Sequence, residues 1–221
     1  MTVHEDKDLK SEFQIERVAL FSDAVFAIAI TLLVIELRIP ELTKPITDHH
    51  LLEVMAESLF AKFIGFIVSF MVIAMYWANH HLLFGYLADT NRPLIWANIQ
   101  FLFTIVLMPF SAAFYSEYWM SPLVTPVAFY SINLTLSGLT LIRLWNVAGN
   151  PKYQLYHSLP TPEKIRFHKI RALIAPAGFL LSFIVALFDP IISWYIPLTI
   201  PLIIVFIRRY YRKRSPGVLT S

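Results

Sequence analysis

Six apolar runs, each long enough to cross a bilayer as a helix, leave this 221-residue chain few alternatives. A helix needs about 20 mainly apolar residues to span the hydrocarbon, and in lipid every backbone polar group must be satisfied within the segment. The runs cover 18–38, 58–79, 94–114, 122–144, 169–188 and 191–207, and helical character in the second continues toward Leu87. The composition is 57% hydrophobic and only 15% charged, too little charge to coat a soluble domain of this size. Neither strand alternation nor glycine-rich punctuation is present, which argues against a β-barrel. The expected class is an all-α integral membrane protein with six transmembrane helices in a single domain spanning 1–221.

The polar opening stretch, MTVHEDKDLKSEFQIER, does not read as a cleavable signal. Without cysteine the chain has no disulfide, thiol nucleophile or thiolate metal site. Pro109, Pro126, Pro176, Pro197 and Pro201 fall inside or near span ends, where each removes a backbone donor and is expected to kink its helix. Lys and Arg set the orientation. Fifteen of them (Lys7, Lys10, Arg17, Arg92, the group from Arg143 to Arg171, and the tail from Arg208 to Arg214) fall on one side of a six-span topology, and Arg38, Lys44 and Lys62 on the other. Both termini are therefore expected in the cytoplasm, with the chain multi-pass in the plasma membrane. The net charge of +3 reflects topology and gives no support for nucleic-acid binding. The tail RRYYRKR is first a topology anchor, and it also suits anionic membrane lipid.

An ionisable group in the hydrocarbon costs roughly 2.5–3.5 kcal/mol on insertion scales and so faces protein or water. Asp23 is the clearest case, about 9 Å along the helix axis from Arg17 at 1.5 Å per residue. The second span runs the opposite way, so its WANHH group, Trp77 to His81, comes to the depth of Ser22 and Asp23. The expectation is a buried cluster in which Ser22 and Asp23 pair with some combination of Arg17, Trp77, Asn79, His80 and His81. The plainer reading makes His80 and His81 markers of the membrane–water boundary. Ser22 and Asp23 point about 100° apart on a helix and cannot both address one histidine, and no G-x-S-x-G elbow occurs. The chain is not expected to be an enzyme. Asp48, His49 and His50 resemble a weak metal site but read better as a solvated loop. Asn98, Gln100 and Asn133 are candidate pocket groups in a receptor or scaffold, though interhelical hydrogen bonding suits them better. The 18 Phe, 10 Tyr and 5 Trp fit interface belts and lipid-facing surface.

Along the first span, Arg17, Phe21, Ala24, Ile28, Thr31, Leu32 and Ile35 fall within about 60° of one line, while Ser22 and Ala29 offer small residues for close contact on the opposite flank. On a lone helix this is an ordinary packing stripe. Around a symmetry axis, Ile28, Leu32 and Ile35 would become apolar rings and Thr31 a ring of hydroxyls, and an apolar constriction can gate a pore by dewetting.

The stretch RVALFSD, with Arg17, Phe21, Ser22 and Asp23, followed by AVFAIAITLLVIEL, resembles the R-x-x-x-F-S-D signature of the endolysosomal potassium channels and their bacterial relatives, the transmembrane protein 175 family. SFMVIAMYWANHHLLF resembles that family's second helix, and the motif-level match covers roughly the first 85 residues. The resemblance implies a homotetramer with the first helix lining a central pore, favouring potassium over other monovalent cations without a T-V-G-Y-G carbonyl filter. It implies a constriction at Ile28, Leu32 and Ile35, and a selectivity layer at Thr31 beside the permeant K+, with no cofactor. Arg17, Phe21, Ser22 and Asp23, with Trp77, His80 and His81, would brace the pore helix. Ala24 stands where many members carry Gly. The competing reading is a proton-coupled transporter or proton leak using Asp23 and His80.

Overall fold

The computed structural model describes residues 3–37, 47–119, 121–156, 161–200, 202–206 and 209. The loop with Arg38 and Lys44, and most of the basic tail, lie outside them, as do Pro201 and the end of the expected sixth span, Ile207. All regular elements among the described residues are helical: α1 (Val3–Ile35), α2 (Asp48–Phe84), α3 (Arg92–Val106), α4 (Met108–Glu117), α5 (Thr125–Ala148), α6 (Pro162–Ala186), the short α7 (Pro190–Ser193), and a 3-10 turn (Ile196–Thr199). Residues 202–206 are helical again.

Five helical stretches are long and apolar enough to cross a membrane: Ser11–Ile35, Lys62–Phe84, Arg92–Glu117, Thr125–Ala148 and Pro162–Ala186. They correspond to the first five sequence runs with shifted ends. No Pro or Gly interrupts Val3–Ile35, so the polar opening segment continues the helix. Asp48 and His49, read from sequence as a loop, instead open α2, where His49 lies 3.4 Å from Glu53 one turn on. The third run breaks at Leu107, between α3 and α4. Pro109 follows two residues later and lacks the N–H that would continue the ladder to Ile105. The expected sixth span is divided among α7, the 3-10 turn and the last helical residues. Pro190–Phe206 is a shorter apolar helical segment.

The element ends are set locally. The Asn91 side chain accepts from Leu94 N at 2.8 Å to cap α3, Thr161 caps α6 through Lys164 N, and Asp189 accepts from Ile191 N and Ile192 N to start α7. The turn after α2 is stitched to the loop after α5, with Ala88 N donating to Leu155 O at 2.7 Å.

The buried core runs between α2, α3, α5 and α6, through Ile73, Leu83, Leu94, Phe101, Leu134, Trp145 and Phe179. Within it α5 packs tightly on α6. A Cβ on Gly138 would come within 2.8 Å of Pro176 Cγ and 3.0 Å of Ala172 O, so only glycine lets the helices meet there. Pro176, inside α6, cannot donate to Ala172 O four residues back. The Tyr76 hydroxyl from α2 answers that loss, shared between Leu134 O at 3.3 Å and Ala172 O at 3.4 Å. Tyr76→Phe keeps the ring and removes the donor. Its expected cost is about 1 kcal/mol, read as a lowered midpoint in denaturant unfolding of the detergent-solubilised chain. An unchanged midpoint would show that the freed Ala172 O needs no such donor.

Candidate functional site

Helix α1 is two-sided. Ser22, Phe26, Ala29 and Leu33, spaced by four, three and four, are buried against the rest of the chain. The opposite line is open: Phe21 is 59% exposed, Ile28 59%, Leu32 40% and Ile35 62%, with Arg17, Ala24 and Thr31 exposed among them. Only 22% of the apolar window of α1 is buried inside the chain, against 56% for Arg92–Glu117. The stripe singled out from sequence is thus a face that no other described segment of the subunit covers. Thr31 Oγ1 donates to Ile28 O at 2.9 Å, which commits its proton to its own helix.

The flank of α1 that faces the chain is held by two polar contacts about one residue apart in height. Ser22 Oγ donates to Val18 O at 2.8 Å and accepts from Asn98 Nδ2 at 2.9 Å. Asn98 Oδ1 lies 2.8 Å from His80 Nε2. An amide oxygen has no proton, so His80 carries its hydrogen on Nε2. Its ring is enclosed by Phe26, Phe84 and Phe101. Ser22, Asn98 and His80 are all nearly completely buried, and three helices converge on one relay of hydrogen bonds. On the neighbouring side, the Trp77 indole N–H donates to Asp23 Oδ1 at 2.8 Å, and Trp77 stacks on the exposed His81.

Of the residues expected in the cluster, Trp77 meets Asp23 and His80 reaches Ser22 through Asn98, while Arg17 and Asn79 stand apart. The Arg17 guanidinium sits 5.8 Å from the Phe13 ring centroid. Asn79 belongs to a second buried knot, donating to His168 O at 3.0 Å and accepting from Trp145 Nε1 at 3.0 Å. The bridging role of Asn98 was not assigned from sequence, which placed it only among candidates for interhelical bonds. Gln100 accepts from Arg143, and Asn133 donates to Ser111 Oγ at 2.9 Å. Ser22 and Asp23 take partners on different sides, which leaves no Ser–His–Asp arrangement here. Asp23 and His80 likewise use separate partners. Among the described residues no group of three His, Asp or Glu is placed to hold a metal ion.

Residues 17–109, which contain this entire cluster, match the family model described as endosomal/lysosomal potassium channel TMEM175. Over that segment the chain is similar to the TMEM175 family. It is 35% identical over 131 residues to a potassium channel of Streptomyces collinus, covering 58% of this chain and 62% of the relative, and 34% identical over 131 residues to one of a Chryseobacterium species, covering 59% and 63%. The chain thus spans a little over three fifths of the length of these relatives. Its fold is similar to the solved structure of a TMEM175 homologue from Chamaesiphon minutus, described as a lysosomal potassium-selective channel, with TM-score 0.70 and 26% identity over 89% of this chain and 97% of that one. The matched relatives are described as potassium channels.

Proposed function

We propose that this chain is a member of the TMEM175 family and a potassium-favouring cation channel, built as a homotetramer with α1 around a central axis. The observation that carries the reading is the bare apolar stripe on α1. A charged or polar face would expect water, and a covered face would be core. An exposed apolar line on the helix that bears the family motif is suited to a shared axis, since four copies turn Ile28, Leu32 and Ile35 into successive greasy rings. Such rings close a pore by excluding water. Thr31, between them, offers a ring of hydroxyl oxygens, and the donation of its proton to Ile28 O supports coordination of K+ by its lone pairs. With few oxygens replacing the hydration shell and no carbonyl filter, selectivity over Na+ is modest. Opening rotates or splays α1 and wets the Thr31 layer.

The relay Ser22–Asn98–His80 and the Asp23–Trp77 bond brace α1 against α2 and α3 on the side away from the axis. Pro190–Phe206 completes a sixth crossing, both termini lie in the cytoplasm, and the host is the plasma membrane. Proton coupling through Asp23 and His80 is the less favoured alternative, because the two side chains belong to separate contacts.

The test uses the full chain in mild detergent and then in potassium-loaded liposomes. The expected mass is that of four subunits, and the expected flux is of K+ faster than Na+, without saturation by a cosubstrate. A monomer, or flux that only follows a proton gradient, would overturn the pore and turn attention to the transporter reading.

A further inference from the structure

Between α2, α4, α5 and the closing apolar segment lies a cavity of about 10 Å3. Much of its wall is apolar, with Trp119, Phe179 and Trp194 among the lining groups. Three hydroxyl-bearing residues line it as well: Ser69 of α2, Tyr115 of α4 and Tyr130 of α5. All three are nearly completely buried. Ser69 is seven residues from Lys62, where its span begins, so it lies about 11 Å along the helix from that end. A Cβ added to Gly65, which also lines the cavity, would come within 2.9 Å of Ser116 Cβ. The helices α2 and α4 are thus already in contact beside the cavity.

The hydroxyls do not balance among themselves. Ser69 Oγ and Tyr130 Oη lie 2.8 Å apart, a bond that uses one of their two hydrogens and leaves the other over. The buried Tyr115 hydroxyl bonds to no protein group among the described residues. Its ring is held in place, stacked on Tyr130 at 5.2 Å and packed against Trp194 at 4.4 Å between centroids. Two O–H groups therefore lack an acceptor within a bundle of apolar helices, where a polar group without a partner is costly. A water oxygen accepts two hydrogen bonds, so one molecule answers both. The volume is about the smallest that admits a water, and three hydroxyls supply the two to four polar partners that a buried water needs.

We propose that this cavity is a resident site for one water molecule, which accepts from Tyr115 and from the remaining hydroxyl hydrogen of the Ser69–Tyr130 pair and so ties α4 to α2 and α5. The site is separate from the α1 stripe and does not depend on the channel reading. The first test is a structure of the purified full chain at a resolution that shows ordered water, for the unsubstituted chain and for Tyr115→Phe, which keeps the ring and its stacks. The unsubstituted chain is expected to show one peak within about 3 Å of Tyr115 Oη and of Ser69 Oγ or Tyr130 Oη. In Tyr115→Phe that peak is expected to be lost. The second test is denaturant unfolding of Tyr115→Phe, Ser69→Ala and the double variant in detergent. The midpoint shift of the double variant is expected to be smaller than the sum of the single shifts, because either change alone releases the shared molecule. A dry cavity in the unsubstituted chain would overturn the site, as would a Tyr115 hydroxyl bonded to a protein acceptor or a peak unchanged in Tyr115→Phe. Strictly additive shifts would equally overturn it. If Ser69→Ala fails to fold, the density in the unsubstituted chain and in Tyr115→Phe still decides.

Discussion

Potassium flux through liposomes containing Ile28→Asn is expected to exceed that of the unsubstituted chain by about tenfold, which corresponds to about 1.4 kcal/mol off the permeation barrier. Ile28 is 59% exposed on α1, so the substitution does not strip the subunit core. In a tetramer it would place four amides in the first of the apolar rings, where each can hydrogen-bond water that isoleucine excludes. Leu32→Ala acts in the same direction by widening the next ring, and both should reduce the preference for K+ over Na+. Ile30→Ala is the matched control. Ile30 is half-buried, packed against the core cluster rather than on the open stripe, and flux per folded molecule should not move. If Ile28→Asn and Leu32→Ala leave flux and selectivity at the unsubstituted values, α1 does not line the path.

The second large effect is on stability. Asn98→Leu removes the amide that joins His80 Nε2 to Ser22 Oγ. Ser22 keeps its bond to Val18 O, but the His80 N–H is left buried without an acceptor. Orphaning a buried donor costs about 1–3 kcal/mol, read from denaturant unfolding of the detergent-solubilised chain. The double variant His80→Phe/Asn98→Leu removes both polar partners and fills similar space with apolar atoms. It should recover much of the loss, giving an interaction energy of about 1 kcal/mol, within the range for polar pairs in membrane helices. Strictly additive losses would show that the relay is a coincidence of packing and does not brace α1.

The sequence made α1 readable because its two signals agree. The 3.6-residue spacing marked one apolar line, and the depth of Asp23 marked a polar contact on another side. The antiparallel course of the second span then brought Trp77 and His80 to that depth without any coordinates. What depth cannot supply is azimuth. Asn79 and His80 are adjacent in height, yet Asn79 turns to Trp145 and the backbone of α6 while His80 turns to α3. Only the packing of the helices decides which of the two meets α1. Asn98 was hidden for the same reason: a single amide in an apolar run announces that it needs a partner but not which helix provides it. The break at Leu107 was half visible through Pro109. The divided last segment was not, because Asp189 as a cap, Pro190 and Pro197 act on local backbone that an apolar count ignores.

Because α1 keeps its two obligations on opposite sides, a lineage can alter one without risking the other. Residues such as Phe26, Ala29 and Leu33 are committed to the interior, and drift there threatens the survival of the folded subunit. Ile28, Thr31 and Ile35 lie on the exposed line and not in that interior, so their identities are free to vary without unfolding the subunit. Diversity among descendants of such a chain should accumulate along that single open line, while the inward line stays nearly fixed.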